Sequence, residues 1–194
     1  MDCTIADELV AMADLDQKAG EELAASGALY EGYHPWLAAI HENNALRLQA
    51  IIAQIGWPTE RLVGEPAAKA AWLIAQHAIS QPEFQRSCLK LLAEAAREHM
   101  VPLWQPAMLE DRIRRFESRP QLYGTQFEPD AHGNMQPHAI EDPESVDERR
   151  RAVGLEPLAE RLARAEPQPP PADPERFERD YQEWLIKVGW RKPS

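Results

Sequence analysis

The sequence predicts a mainly α-helical fold, a multi-helix bundle that carries a small irregular β-hairpin. Residues that favour helices (Ala, Leu, Glu, Gln and Arg) dominate up to about residue 117, and apolar residues recur there at helical spacing. The segment 121–140 is rich in Gly, Pro, Asn and aromatic residues instead, which is typical of a hairpin. With 194 residues and 44% hydrophobic content, the chain is long enough to bury one sizeable core.

Capping and breaking residues divide the first part of the chain into five predicted helices. They cover about 4–25, 35–55, 66–79, 80–100 and 103–117. Gly56-Trp57-Pro58 ends the second helix, because glycine caps a helix and proline cannot continue it. Pro66 favours the first turn of the third helix. Ser80 and Glu83 form a capping-box pattern for the fourth helix, and Pro102 ends it.

The second part of the chain begins with the predicted hairpin, whose turn falls near 130–134. Asp142-Pro143 then begins a short helix that reaches about residue 153, and another short helix follows at 158–165. We therefore divide the chain into three parts. They are a helical domain at 1–165 with the hairpin at about 121–140, a proline-rich linker at 166–174 and a C-terminal amphipathic helix at 175–194.

The C-terminal helix has an apolar stripe that needs a partner surface. Its members lie at helical spacing: Phe177, Tyr181, Trp184, Leu185 and Val188. We expect this stripe to dock on the helical domain of the same chain. The alternative is docking on a second copy, which would make a homodimer through the C-terminal helix.

Composition and charge exclude several classes of protein. The net charge of −11 repels phosphate backbones, so we expect no nucleic-acid partner. The chain has no run of about 18 apolar residues, so we expect no membrane span. The acidic N-terminus does not resemble a signal peptide. Two cysteines, Cys3 and Cys88, make no disulfide framework, and together these features predict a cytoplasmic protein.

Four of the five predicted helices, the first, second, third and fifth, each place a polar residue on or beside the face that should be apolar. These residues are Asp16, Asn44, Gln76 and Arg112. Arg112 has no carboxylate one turn away on its own helix, so Asp16 is its candidate partner. The neighbouring pairs Glu110–Arg114 and Asp111–Arg115 can form at the surface instead.

Each inward polar residue also has a structural explanation when it is taken alone. Asn44 can bridge two backbones, Asp16 and Arg112 can form a plain buried ion pair, and His77 can be a satisfied core histidine. Leaving one such group unpaired costs about 1–3 kcal/mol, so several of them together indicate a polar cavity that holds water or a ligand.

The segment 121–126 adds amide, phenol and hydroxyl groups to this picture. If it is a strand, Gln121, Tyr123 and Thr125 point to one side, and Gln126 points to the other. Such a neutral hydrogen-bonding wall suits a carboxylate- or amide-containing ligand. The alternative is a structural hairpin whose polar face contacts only water.

Five motifs of the chain together resemble a bacterial family known only as a domain of unknown function. They are IIAQIGWP at 51–58, Gln76-His77, Asp111-Arg112, QLYGTQF at 121–127, and Arg150 followed by Gly154-Leu155. The resemblance covers about residues 5–160. The chain differs from the family pattern shortly after Asp16-Gln17. An arginine is expected there from the resemblance, but this chain has Ala19-Gly20-Glu21. The resemblance implies no reaction, but it implies that the helix-face residues and the hairpin belong to one site.

No cofactor or metal motif is present, so the sequence leaves the cofactor unknown and assigns no metal site. The chain lacks HExxH, CxxC, a glycine-rich phosphate loop and a Gly-x-Ser-x-Gly elbow. His34 and His41 are seven residues apart, but Pro35 makes His34 a helix start. A mixed site made from remote histidines and carboxylates stays open as an alternative.

These observations predict an enzyme that acts on a small polar substrate containing a carboxylate or an amide. His77 would be the general acid or base, Arg112 would bind an anionic group, and Asp16 would orient one of them. The remaining predicted site residues would bind substrate: Asn44, Gln76, Asp111, Gln121, Tyr123, Thr125, Gln126 and Arg150. The alternative is a non-catalytic binding or protein-interaction module whose polar residues only specify packing.

Overall fold

The computed structural model describes residues 3–193 and is built mainly from α-helices with one small antiparallel sheet. This confirms the predicted fold class. Two compact units divide the chain, Met1–Val101 and Pro102–Ser194. No helix in the described part of the chain is long and apolar enough to cross a lipid bilayer.

The first unit consists of helices, and four of its five α-helices were predicted. The α-helices are α1 (Cys3–Ser26), α2 (Pro35–Ile55), α3 (Glu60–Val63), α4 (Glu65–His77) and α5 (Pro82–Arg97), with a short 3-10 helix at Ala28–Glu31. The bounds of α1 and α2 agree closely with the prediction. Gly56 ends α2 with a φ of 76°, and its N–H donates to the carbonyl of Ile52. The short α3 was not predicted.

The capping box predicted for the fourth helix is wrong. That helix, α5, begins at Pro82 after Gln81, and no side chain caps it. Proline at the first position has no N–H, so the helix start has one fewer N–H group that needs a hydrogen-bond acceptor. The helix also ends at Arg97, short of the predicted residue 100, because His99 takes a φ of 56° and closes the helix by donating to the carbonyl of Ala96.

Three helices of the first unit, α1, α2 and α4, pack on one another. One face of α1 is buried along its whole length, and its members are Ile5, Leu9, Ala13, Asp16, Ala19 and Leu23. The α4 helix contributes small buried residues, Ala70, Ala71 and Ala75, which let its neighbours approach closely. The predicted stripe of α1 therefore exists, and Asp16 lies inside it.

The second unit combines four α-helices with the hairpin. Its elements are α6 (Trp104–Phe116), β1 (Phe127–Pro129), β2 (Met135–Pro137), α7 (Val146–Ala152), α8 (Leu158–Ala163) and α9 (Pro174–Lys187), with a 3-10 helix at Pro143–Ser145. The strands pair with Glu128 opposite Gln136. Asp130 closes the turn between them by accepting from the N–H groups of His132 and Asn134. The hairpin and the position of its turn are confirmed.

The prediction that 121–126 forms part of a strand is wrong. Only Gln121 makes an isolated bridge, to Ile140, and the rest of the segment is an irregular loop. Gly124 adopts a φ of 61°, and a Cβ there would lie 2.8 Å from Ile140 Cδ1. The positive φ favours glycine at this position, and a Cβ would also require the Ile140 side chain to shift. Because the chain turns here, side-chain alternation does not apply to the segment.

The helix α7 also starts differently from the prediction. Asp142 does not cap it with its side chain and instead has a φ of 45°. The 3-10 helix at Pro143–Ser145 intervenes before α7 begins at Val146. Proline sets the first turn of this 3-10 helix, and the α-helical bonds start only after it.

The C-terminal helix α9 docks on its own unit. Asp173 caps it by accepting from the N–H of Arg176 at 3.0 Å. Leu185 is fully buried, and Trp184 and Trp190 pack against Phe116 of α6. The first of the two predicted docking modes is therefore the one observed, and a homodimer through this helix stays a prediction.

Candidate functional site

A buried carboxylate, Asp16, lies between two histidines in the first unit. It accepts hydrogen bonds on both oxygens, from His41 Nε2 to Oδ1 at 3.0 Å and from His77 Nδ1 to Oδ2 at 2.7 Å. The three residues come from α1, α2 and α4, the helices that pack on one another. We refer to Asp16, His41 and His77 as the Asp-His-His cluster. Tertiary packing brings it together, since its members are 25 and 61 residues apart in sequence.

The two histidines have different surroundings. His41 is buried, and its Nδ1 lies 2.8 Å from the hydroxyl of Tyr33, which fixes the orientation of the ring. His77 is the last residue of α4, and 31% of its side chain is exposed. The two imidazole centroids are 4.9 Å apart. The cluster therefore has a closed side at His41 and a side that solvent can reach at His77.

The electrostatics of the cluster keep its carboxylate ionised. Burial alone would raise the pKa of Asp16, but the hydrogen bonds from His41 and His77 and the positive charge of the two rings outweigh it, so the pKa lies well below its usual range. Burial, together with the negative charges of Glu42 and Asp16, raises the pKa of Tyr33. The phenol therefore stays neutral and can both donate and accept a hydrogen bond.

The Asp-His-His cluster is also a set of metal-binding groups. One ligand atom from each residue lies within 4.8 Å of the other two. Imidazole and carboxylate are common ligands of zinc and of other divalent transition metals. The sequence assigned no metal site and left a mixed site of remote histidines and carboxylates open as an alternative.

Two further predicted site residues of the first unit, Asn44 and Gln76, are buried. Asn44 donates from Nδ2 to the carbonyl of Met12 at 3.1 Å, which ties α2 to α1. The carbonyl of Gln76 accepts from the side chain of Gln85 at 2.9 Å, close to the end of α4. The structural explanation of Asn44, a bridge between two backbones, matches its contact.

In the second unit, Asp111 is a buried acceptor and not part of a surface ion pair with Arg115, as the sequence had suggested. It accepts from the N–H groups of Leu122, Tyr123 and Thr125 and from the hydroxyl of Thr125, at 2.7–3.2 Å. Burial raises the pKa of Asp111, and these hydrogen bonds oppose that rise. The carboxylate holds the irregular loop in place.

Two guanidinium groups donate hydrogen bonds to the backbone carbonyls of the same loop. Arg150 is buried and donates to the carbonyls of Tyr123 at 2.6 Å and Gly124 at 3.3 Å. Arg149 donates to the carbonyl of Leu122 at 2.6 Å. We call residues 121–126 the clamped loop. Three of its N–H groups donate to one carboxylate, and three of its carbonyls accept from two arginines.

The side-chain amide of Gln121 also makes hydrogen bonds that stabilise the clamped loop. It donates to the carbonyls of Gln126 and His138, both at 3.0 Å, and accepts from the N–H of Gln126 at 2.6 Å. The side chain of Gln126 is buried and donates to the hydroxyl of Thr125 at 3.4 Å. The hydrogen-bonding groups predicted to meet a ligand are therefore largely engaged within the loop, and their role in substrate binding stays a prediction.

Arg112 and Arg114 are two further charged residues of α6. The pKa of Arg112 is lowered to about 10 by burial and by the charge of Arg115. The pair Glu110–Arg114 forms at 3.6 Å, but Arg114 is buried and not at the surface, and it also donates to the carbonyl of Pro120. The predicted ion pair of Arg112 with Asp16 stays a prediction, and the partners recorded for Asp16 are the two histidines.

A cavity of about 340 Å³ lies in the second unit beside the clamped loop. Its lining includes aromatic, hydroxyl and cationic side chains: Trp104, Thr125, Phe127, Arg150 and Arg161. The guanidinium of Arg161 lies over the ring of Phe127, 5.1 Å from its centroid. Two predicted site residues, Thr125 and Arg150, thus share this cavity.

Sequence reasoning missed two residues of the Asp-His-His cluster and its surroundings, His41 and Tyr33. His41 borders the apolar stripe of α2, three residues before Asn44, and that position was the available signal. Tyr33 lies in the connection before α2 and carries no periodic signal. Only the packing of α1 against α2 brings both residues to Asp16.

Comparison with known proteins gives one result. A model of a family of unknown function, DUF6624, matches residues 3–167. No curated protein and no solved structure matches the chain.

Proposed function

The chain belongs to the DUF6624 family, which is defined without an activity, and from the geometry of the site we propose that it is an enzyme acting on a small polar substrate. The reacting centre is the Asp-His-His cluster, and the substrate contains a carboxylate or an amide. The observation that carries the proposal is the contact of His77, part of whose ring solvent can reach, with the buried carboxylate of Asp16 at 2.7 Å.

This contact supports a general acid or base at His77. A carboxylate on one ring nitrogen fixes the tautomer and stabilises the protonated ring, which is how an aspartate supports a catalytic histidine. We assign the proton transfer to Nε2, across the ring from Asp16. His41 restrains the other oxygen of Asp16, so the carboxylate keeps its position while the proton moves.

The composition of the chain supports a small molecule as the substrate. The net charge of −11 disfavours a nucleic-acid substrate and leaves small molecules as the expected class. We propose a cytoplasmic, bacterial protein on the basis of the sequence.

The test combines a ligand screen with one substitution. Thermal unfolding of the purified chain is first measured with acetate, acetamide and inorganic phosphate, because a ligand that binds the native state raises the melting temperature. Hydrolysis is then followed with p-nitrophenyl acetate and p-nitroacetanilide as ester and amide probes. We expect His77→Ala to lower the rate on the accepted probe at least about 100-fold.

The matched control is His132→Ala, which removes an exposed histidine from the hairpin turn. It should keep the full rate. A His77→Ala variant that keeps both its melting temperature and its full rate would remove His77 from the mechanism.

A specific observation favours a second function, a non-catalytic binding module. Asp111, Gln121 and Arg150 direct their hydrogen bonds to the backbone, as expected of a polar network that only specifies packing. In that case acetate, acetamide and phosphate leave the melting temperature unchanged, and neither p-nitrophenyl acetate nor p-nitroacetanilide is hydrolysed.

A further inference from the structure

We propose that Asp16, His41 and His77 bind one divalent transition-metal ion, for which Zn²⁺ is the matching probe. The inference rests on the proposed function, because the metal ligands are the same three residues that form the proposed reacting centre. It assigns a metal cofactor to that centre. With such an ion bound, His77 would serve as one of its ligands, and the ion would supply the acid–base chemistry at the same centre.

The first support is the spacing of the ligand atoms. Donors bound to zinc at 2.0–2.2 Å in tetrahedral geometry lie about 3.3 Å from one another. The carboxylate oxygens of Asp16 are already 3.0 Å from His41 Nε2 and 2.7 Å from His77 Nδ1. All three ligand atoms lie within 4.8 Å of one another, so no separation has to shorten by more than about 1.5 Å.

The second support is charge. Asp16 places a negative group in a helix face that is otherwise made of Ile, Leu and Ala, and such a group needs a cation. Two imidazoles beside one carboxylate make a ligand set of the kind that holds catalytic zinc in enzymes.

The third support is the residue behind His41. The hydroxyl of Tyr33 lies 2.8 Å from His41 Nδ1, the ring nitrogen opposite the one that faces Asp16. Metal-bound histidines usually have such a partner, which fixes the ring and selects the tautomer. When Nε2 binds the ion, the ring proton resides on Nδ1 and is donated to the oxygen of Tyr33.

The fourth support is access. Three protein ligands leave at least one coordination position for water or substrate, which distinguishes catalytic zinc sites from closed structural ones. Because 31% of the His77 side chain is exposed, that position can be reached from solvent. The other two ligands are buried, so the ion would lie at the inner end of this opening.

The experiment measures metal binding without any substrate. The full chain is stripped with a chelator and titrated with Zn²⁺ against a chromophoric competitor, and the bound metal is counted by elemental analysis. We expect one ion per chain. Asp16→Asn and His41→Ala should each weaken the affinity at least 100-fold, and Tyr33→Phe should weaken it about 10-fold.

His132→Ala is the matched control and should bind Zn²⁺ as the unsubstituted chain does. Substitution with Co²⁺ gives a second readout that needs no variant, since a bound ion with imidazole and carboxylate ligands has an intense visible spectrum. The Tyr33→Phe variant keeps all three ligands, so it provides a mutational test if the Asp16 or His41 variants fail to fold.

Two results would overturn the inference. One is the absence of stoichiometric Zn²⁺ binding and of the Co²⁺ spectrum in the folded chain. The other is full affinity in folded Asp16→Asn and His41→Ala variants. Neither result depends on turnover, so an active enzyme that binds no metal refutes the metal site alone, and a metal-binding chain that turns over no probe refutes the proposed enzyme alone.

Discussion

At the scale of single residues, Asp111 shows how a charged side chain can organise backbone. Its carboxylate accepts from three backbone N–H groups and one hydroxyl of the clamped loop. A loop that cannot form a ladder must find other partners for its polar backbone groups, and a buried carboxylate meets several of them at once. Asp111 therefore stabilises the backbone of the clamped loop in the second unit.

Removing this carboxylate should destabilise the chain. We expect Asp111→Ala to lower the free energy of unfolding by about 2–4 kcal/mol, because buried donors lose a charged acceptor. The neighbouring Glu110→Ala, which removes one side of a long ion pair with Arg114, should cost less than about 1 kcal/mol. Urea unfolding of both variants measures the difference, and equal stabilities would contradict the role of Asp111.

His138 gives the stability of the fold a pH dependence of known sign. Burial, with a contribution from Arg115, lowers its pKa to about 3. The unfolded chain takes up a proton near the usual value of about 6.5, so it binds more protons than the native state between these values. The contribution of this residue to stability is thus complete above about pH 6.5 and falls as the pH drops towards 3.

Replacing the ring tests that sign. His138→Gln should show a shallower loss of stability between about pH 6.5 and pH 3 than the unsubstituted chain in urea unfolding. Glu128 lies 3.1 Å from His138 Nδ1 and favours the protonated ring, so the effect should stay below one full proton. Parallel curves for the two chains over this range would refute the assignment.

At the scale of elements, α9 is held to its own unit by one face. Leu185 has no exposed surface, whereas 37% of its neighbour Ile186 is exposed. Arg191 follows the helix and donates to the carbonyl of Phe116 at 3.0 Å, which ties the end of the chain to α6. The linker before α9 is also restrained, since the N–H of Gln168 donates to the carbonyl of Gly133.

The two neighbouring residues make a matched pair of variants. Leu185→Ala should cost about 2–5 kcal/mol, because it leaves a cavity under α9. Ile186→Ala removes a similar volume from the outer face and should cost less than about 1 kcal/mol. Thermal unfolding and limited proteolysis at 166–174 report the release of the helix. A large effect of Ile186→Ala would instead support the predicted contact with a second copy of the chain.

At the scale of the whole molecule, the candidate chemistry lies in the first unit and the clamped loop in the second. The Asp-His-His cluster uses three helices that precede residue 102, and the clamped loop is held by α6 and α7. Three of the sequence motifs thus have a structural task within the second unit, at Asp111, at 121–126 and at Arg150. A motif search alone would have grouped them with the catalytic residues.

The sequence by itself determined the fold class, the bounds of α1 and α2, the hairpin turn and the inward position of Asp16. These features depend on local periodicity and on glycine and proline, whose effects act within a few residues. For the same reason the sequence-based prediction failed at α3, at the start of α5 and at 121–126. In these segments no periodic pattern exists, or distant contacts override the local pattern.

The tertiary structure alone decided which partners the inward residues meet. His41 and His77 reach Asp16 across 25 and 61 residues, and Asp111 meets the backbone of a loop that begins ten positions later. A helical pattern gives the face on which a side chain lies, but not the neighbour that covers that face. That choice follows from how helices pack, and here it brings a carboxylate and two imidazoles into contact.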